Sequence, residues 1–155
     1  MMRKQQTWEG AVPWGLALLR VVVGLTFFMH GQQKLFQMGL GGVGGMFASL
    51  GVPAPELAAV AVSLVETVGG LALIAGAATR LIGVLLAADV LVAMFLVHLP
   101  NGFYAMDGGV ELVLVLGAAA LALALTGPGA LAVDTMLASG RGARGSAGAP
   151  IPSRS

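Results

Sequence analysis

Apolar residues run along this chain in long blocks that are separated by short polar or glycine-rich segments. About 18 consecutive, mainly apolar residues suffice to cross a bilayer as a helix. On that threshold the pattern predicts four spans, at residues 12–31, 57–77, 81–99 and 110–126. The fourth span is the shortest, so we expect it to stand least tilted or to thin the bilayer locally. The predicted fold class is therefore all-α, a polytopic membrane four-helix bundle.

The segment between the first two spans is rich in glycine but carries apolar residues at helical spacing. Val43, Met46, Phe47 and Leu50 fall at positions i, i+3, i+4 and i+7. This spacing predicts a short interfacial helix between spans 1 and 2. Pro55 then suits the first turn of the second span, where its missing N–H costs nothing.

The composition supports a membrane protein whose main partner is the lipid bilayer. Of the 155 residues, 57% are hydrophobic and 10% are charged, whereas about a quarter of residues in soluble domains carry charge. The 24 glycines fit this class of protein, because small residues let transmembrane helices approach closely. A soluble domain is excluded.

The cysteine count and the net charge exclude further classes of function. The chain has no cysteine, so any disulfide or thiol chemistry would have to come from a partner. A net charge of +1 argues against nucleic acid as a partner, since nucleic-acid binding needs a basic patch or stripe.

The distribution of Lys and Arg predicts the orientation in the membrane. Residues 1–11 are predicted to be a cytoplasmic N-terminus, 12–134 the membrane domain, and 135–155 a flexible basic C-terminal tail. Lys34 alone lies on the other side. We therefore expect a multi-pass protein of the cell membrane with both termini in the cytoplasm. The cations that fall on the side of the termini are Arg3, Lys4, Arg80, Arg141, Arg144 and Arg154.

Each of the first three spans carries one ionisable residue near its middle: Arg20, Glu66 and Asp89. Each would cost roughly 2.5–3.5 kcal/mol at the centre of a lipid-facing helix, so we expect them to face one another. Small residues share the helix faces of Arg20 and Glu66, which favours close packing there. The sequence thus predicts a buried polar cluster of Arg20, Glu66 and Asp89.

This cluster contains two acids for one base, so one acid is expected to hold a proton. Two interpretations stay open. The cluster can be a structural salt bridge that holds the helices in register, or it can be a site for a proton or a ligand.

A second polar layer is predicted at the outer ends of the spans. Two histidines on different helices can hydrogen-bond a quinone head group or, less favourably, ligate a haem. His98 follows Asp89 by nine residues, which places it half a turn off the face of Asp89 unless the helix ends early at Pro100. No metal site is assigned, and the methionines, which lack M-x-x-M spacing, argue against copper. The layer consists of His30, Lys34, His98, Asn101 and Glu111.

Several stretches together resemble the DoxX family of small bacterial and archaeal membrane proteins, over about residues 16–134. The first span ends in HGQQKLF, the second contains VETVGG, the third is followed by HLPNGF, and the fourth by GPG with Asp134. The resemblance implies a four-helix membrane domain that is associated with quinone-linked oxidoreductases and has a redox partner protein. The residues that this implies for the site are Arg20, His30, Lys34, Glu66, Asp89, His98, Asn101 and Glu111.

Three functions are predicted as alternatives, and no catalytic residue is assigned. The favoured one is a membrane subunit of a redox or quinone-linked system, with quinone as the cofactor and with an accessory rather than a catalytic role left open. The others are a non-catalytic scaffold or assembly partner, and a carrier of small solutes or protons. Small-residue helix faces also make a homodimer an expectation.

Overall fold

The computed structural model describes the backbone of residues 2–146 and the side chains of residues 9–139. Within this part, three helical stretches are long and apolar enough to cross a membrane: Glu9–Ser49, Pro55–Ala75 and Thr79–Asn101. A shorter apolar helix, Glu111–Thr126, follows them. The predicted all-α membrane bundle is confirmed.

The helices follow one another with short connections. They are α1 (Met2–Gln32), a π-helical segment (Gln33–Met38), α2 (Gly39–Ser49), α3 (Pro55–Ala75), α4 (Thr79–Ala93), a second π-helical segment (Met94–His98), 3₁₀ turns at Leu99–Asn101 and Ala105–Asp107, α5 (Glu111–Thr126) and α6 (Val133–Ser146). The predicted short helix between the first two spans is α2.

The ends of α3 show why this sequence makes separate helices here. Pro55 occupies the first turn, where no intrahelical N–H is needed. Gly76 ends the helix in the left-handed conformation with φ of 69°, which glycine adopts without strain. The N–H groups of Gly76 and Ala77 then donate to the carbonyls of Leu73 and Ala72, which satisfies the last turn.

Glycine sets the register between α1 and α3. A Cβ atom placed on Gly70 would lie 2.5 Å from the backbone nitrogen of Phe28 and 2.6 Å from the carbonyl oxygen of Gly24. A Cβ on Gly31 would collide with Thr67. The two antiparallel helices therefore touch backbone to backbone, as small residues permit in membrane proteins.

The second close pair is α4 and α5, and the core lies between the two pairs. A Cβ on Gly83 would lie 2.7 Å from the carbonyl oxygen of Ala120. Buried apolar side chains from all four long helices fill the centre, among them Phe27, Leu73, Leu86, Leu116 and Leu123. Most other large apolar side chains of these helices are exposed, as expected where lipid surrounds the bundle.

The C-terminal segment differs from the prediction. Residues 135–155 were expected to form a flexible tail, but α6 extends over Val133–Ser146; residues 147–155 lie outside the described part. The backbone N–H of Asp134 donates to the carbonyl oxygen of Gly76, which attaches the start of α6 to the end of α3. The tail was predicted because this segment has little apolar surface to bury. The hydrogen bond between Asp134 and Gly76 holds the start of α6 in place without such burial.

Candidate ligand-binding site

A cavity of about 260 Å³ lies between the end of α1, α2, α3 and α4. Its walls are mostly apolar, and α2 supplies one of them. A few polar side chains converge on the same space, which is the usual arrangement of a small-molecule site. The apolar lining includes Met38, Met46, Phe47, Leu50, Val52, Val62, Val92, Leu96 and Val97, and the polar lining Gln33, Lys34, Glu66, Asp89 and His98.

Lys34 and Glu66 form an ion pair at this cavity. The Nζ atom of Lys34 lies 2.6 Å from Oε2 of Glu66, and the two side chains are only 17% and 8% exposed. Within the described residues no other ion pair is present. The pair joins the segment after α1 to the middle of α3.

Asp89 of α4 lines the same cavity, close enough to Glu66 for the two carboxyl groups to interact. Lys34, Glu66 and Asp89 thus form a set of two acids and one base. Among the described residues Lys34 pairs with Glu66, and Asp89 forms no ion pair, which is costly for a buried carboxylate.

Arg20 does not belong to this cluster, and the predicted Arg20, Glu66 and Asp89 cluster is wrong in its base. The guanidinium is 2% exposed and donates from Nη1 to the carbonyl oxygen of Pro128 at 2.8 Å. It also donates from Nη2 to the carbonyl oxygen of Leu131 at 3.1 Å. Arg20 contacts Gly76, which follows Glu66 by ten residues, about 15 Å along a helix.

The physical reason is the register of α1. The predicted first span ended at Gly31, which put Arg20 near mid-membrane and Lys34 outside. In the structure the helical path continues to Met38, and the contacts of Gly24 and Gly31 with α3 bring Lys34 rather than Arg20 level with Glu66.

The two π-helical segments carry the two basic groups of the cavity. Lys34 lies in Gln33–Met38, and His98 ends Met94–His98. Such wide turns are rare and often occur at functional sites. On a straight helix His98 would lie half a turn off the face of Asp89. The wide turn in the second segment changes the direction of His98, which lines the same cavity as Asp89.

His98 has one fixed hydrogen bond. Its Nδ1 lies 2.7 Å from the carbonyl oxygen of Gly108, and because a carbonyl can only accept, Nδ1 carries the proton. In a neutral ring Nε2 is then an acceptor. Asn101 donates from Nδ2 to the carbonyl oxygen of Val97 at 3.1 Å, so it supports the turn that follows His98.

The other residues of the predicted outer layer do not line the cavity. His30 lines a neighbouring shallow groove near the end of α1 with Thr26, Met29 and Gln33, and Gln33 also lines the cavity. Glu111 accepts a hydrogen bond from the backbone N–H of Ala105 at 2.9 Å, which ties the start of α5 to the preceding loop. The predicted layer is thus divided, and only Lys34 and His98 of its members line the cavity.

Asp134 has a role that sequence reasoning did not assign. Its Oδ1 and Oδ2 accept hydrogen bonds from the backbone N–H groups of Ala78 at 2.7 Å and Thr79 at 2.9 Å. Asp134 therefore caps the N-terminus of α4 from α6. Burial raises the pKa of Asp134, but the hydrogen bonds from Thr79 and Ala78 and the nearby Arg20 outweigh it, and the pKa lies below its usual range.

The wall formed by α2 was also missed, although its signal was present. The apolar spacing of Met46, Phe47 and Leu50 predicted a helix lying on the membrane surface, but the same three side chains face the cavity. No group of three or more His, Cys, Asp or Glu side chains that could hold a metal ion occurs in the part of the chain that the structure describes.

Comparison with known proteins decides the family. The sequence profile of the DoxX family matches residues 15–99, which is more than half of the chain. The chain belongs to the DoxX family. The matched range contains Lys34, Glu66, Asp89 and His98, so all four ionisable side chains of the cavity lie in the DoxX region.

Two relatives extend the match. A Bacillus subtilis (strain 168) protein named "Putative oxidoreductase CatD" is 37% identical over 127 residues, which cover 82% of this chain and 90% of the relative. A Haemophilus influenzae (strain ATCC 51907 / DSM 11121 / KW20 / Rd) protein named "Uncharacterized protein" is 34% identical over 125 residues, which cover 79% of this chain and 90% of the relative. No solved structure matches this DoxX chain.

Proposed function

We propose that this protein is a membrane subunit of a quinone-linked redox system, and that its cavity takes the ring of a quinone or quinol. The observation that carries the proposal is the apolar cavity with the Lys34–Glu66 ion pair and the carboxyl of Asp89 along its lining. The name of the Bacillus subtilis relative, an oxidoreductase, supports the same class of function.

The residues fit the ligand. A quinone ring is a flat apolar body with oxygen atoms at its edge, and the apolar side chains of α2, α3 and α4 suit its faces. Lys34 can donate a hydrogen bond to one oxygen, and the ring of His98 offers a second polar contact. The volume of about 260 Å³ lies just below the roughly 300–1,000 Å³ typical of ligand pockets.

A bound quinone would supply two-electron, two-proton redox chemistry. The side chains of this protein would hold and move the protons. Asp89, which forms no ion pair with any described residue, is the group we assign as the proton acceptor for a ring hydroxyl. Lys34 holds Glu66 in place and thereby fixes the polar end of the cavity. The electrons would pass to a partner redox protein, and any thiol chemistry would belong to that partner because the chain has no cysteine.

The closed interior favours this function over a carrier of small solutes. A carrier needs access from both sides of the membrane, whereas the bundle beyond Glu66 is packed. Phe27 and Leu73 are fully buried there, and Gly70 lies directly against Gly24. The cavity is therefore a binding site at one end of the bundle.

The orientation of the protein remains part of the proposal. We infer that the protein lies in the cell membrane with its termini in the cytoplasm and with the cavity toward the opposite side. Lys34 was the one cation predicted outside, and its burial in an ion pair removes it from the loop charges that set topology. The redox partner and a homodimer stay predictions.

Binding of a short-tailed quinone to purified protein in lipid nanodiscs tests the proposal. We expect one bound quinone per chain and binding at least tenfold weaker in Lys34→Met and Asp89→Asn. Glu9→Gln is the matched control, since it removes an exposed carboxylate far from the cavity and should bind normally. Absence of binding, or equal binding in all three variants, would refute the proposal.

A further inference from the structure

We propose that α2 is a hinged lid that controls access to the cavity. The lid is the helix Gly39–Ser49, and its hinges are Gly39 and the connection 50–54. The inference rests on the proposed function for its purpose, since a membrane-dissolved ligand must reach the cavity, but its test uses no quinone.

The lid covers the cavity with apolar side chains. Met46 and Phe47 of the lid line the cavity from one side, opposite Val62 of α3 and Val92 of α4, and Leu50 of the adjoining connection lines the same side. Moving α2 away would remove this wall and expose the polar groups behind it. The lid is thus placed to admit or exclude a ligand.

Both ends of the lid have the backbone conformations of a hinge. Gly39 has φ of 70° and ψ of 153°, a region that is essentially open to glycine alone. At the other end, Gly51 has φ of 74° and Ala54 has φ of 47°. Left-handed residues bracket α2, so a few dihedral changes suffice to swing it as a unit.

The lid is held by apolar contact. Val43 is fully buried, and Gly44 packs against Glu56 at the start of α3. Among the described residues, no side-chain hydrogen bond joins α2 to another helix; the hydroxyl of Ser49 donates within α2, to the carbonyl oxygen of Met46. Opening the lid therefore separates apolar surfaces and breaks no side-chain hydrogen bond between described residues of α2 and another helix.

The lack of native cysteines allows a clean test. A Cβ on Gly44 would lie 3.6 Å from Cα and 3.7 Å from Cγ of Glu56, so a disulfide between cysteines at these positions is within reach. The variant Gly44→Cys/Glu56→Cys, in nanodiscs, is compared before and after oxidation. Mass spectrometry verifies the cross-link and measures modification of Asp89 and Glu66 by dicyclohexylcarbodiimide, an apolar reagent for protonated carboxyls.

We expect oxidation to slow modification of the cavity carboxyls at least tenfold, and reduction to restore it. Gly44→Cys and Glu56→Cys alone, treated with the same oxidant, should show no change, and Asp89→Asn identifies the modified site. Equal rates with the lid locked and free would overturn the proposal.

A second measurement uses the unaltered protein. Hydrogen exchange should be at least tenfold faster in α2 than in the middle of α3, and equal protection of the two would also overturn the lid. The outcomes separate the two proposals. If modification depends on the lid but quinone does not bind, only the proposed function is contradicted. If quinone binds but modification does not depend on the lid, only the lid proposal is contradicted.

Discussion

Lys34 and Glu66 lie 2.6 Å apart, Nζ to Oε2, and tie the segment after α1 to the middle of α3. The pair is almost fully enclosed, so removing one partner leaves a buried charge without compensation. Losses of this kind cost about 3–5 kcal/mol, whereas replacing both partners with apolar side chains is often nearly neutral.

We therefore expect Lys34→Met and Glu66→Met each to lower the free energy of unfolding by about 3–5 kcal/mol, and the double variant to recover most of the loss. Reversible unfolding in mixed micelles provides the measurement. Additive single effects would show that the two charges do not stabilise one another.

Arg20 should act independently of this pair. Arg20→Leu leaves the carbonyls of Pro128 and Leu131 without their donor and should cost about 3–6 kcal/mol, since two hydrogen bonds to a charged group are lost and each contributes about 1.5–3 kcal/mol. Combined with Glu66→Met, the losses should add to within about 0.5 kcal/mol, as distant sites do. Strong coupling would instead support the cluster that the sequence predicted.

The contact between α1 and α3 should tolerate no side chain at Gly70. Gly70→Ala places a methyl group against the backbone of Phe28 and Gly24, and overpacking of this kind costs about 1–3 kcal/mol. Gly15→Ala is the matched control, because nothing lies within 4 Å of its added Cβ. It should leave stability unchanged or raise it slightly, and equal effects of the two variants would contradict the close contact.

The cap formed by Asp134 predicts a pH dependence. The folded-state pKa of Asp134 is below its ordinary value. The contribution of Asp134 to the free energy of unfolding is therefore fully present above the unfolded pKa of about 4 and is lost as pH falls through the folded pKa. Asp134→Ala should cost about 1–2 kcal/mol at pH 7, the usual effect of losing a cap. The difference from the unaltered protein should shrink below about pH 4, and a constant difference would contradict this role.

Much of the fold could be predicted from sequence because hydropathy determines which segments enter lipid. The spans at 57–77 and 81–99 match α3 and the helical stretch Thr79–Asn101 closely, and Glu66 and Asp89, each predicted near the middle of its span, line the same cavity. Both acids lie well inside helices whose ends are marked by proline, glycine or a short turn, so their depth could be estimated by counting.

Lys34, the base that pairs with Glu66, could not be predicted in the same way. A hydropathy window does not determine how far one helix slides against its neighbour, and here backbone contact between Gly24 and Gly70 sets that offset. The continuation of α1 into a π-helical segment is a second obstacle, since an amphipathic pattern with a period of 3.6 residues does not reveal a wide turn. Gly24 and Gly31 of α1 and Gly70 of α3 form the contact face that places Lys34 level with Glu66.

The π-helical segments Gln33–Met38 and Met94–His98 make part of the site depend on local helix pitch. A π turn holds one more residue than an α turn, so a segment of the same length with ordinary α pitch through Met94–His98 would rotate the imidazole by about 100°. A relative with the same lysine and histidine would therefore form a different cavity if its helices kept ordinary pitch in these two segments.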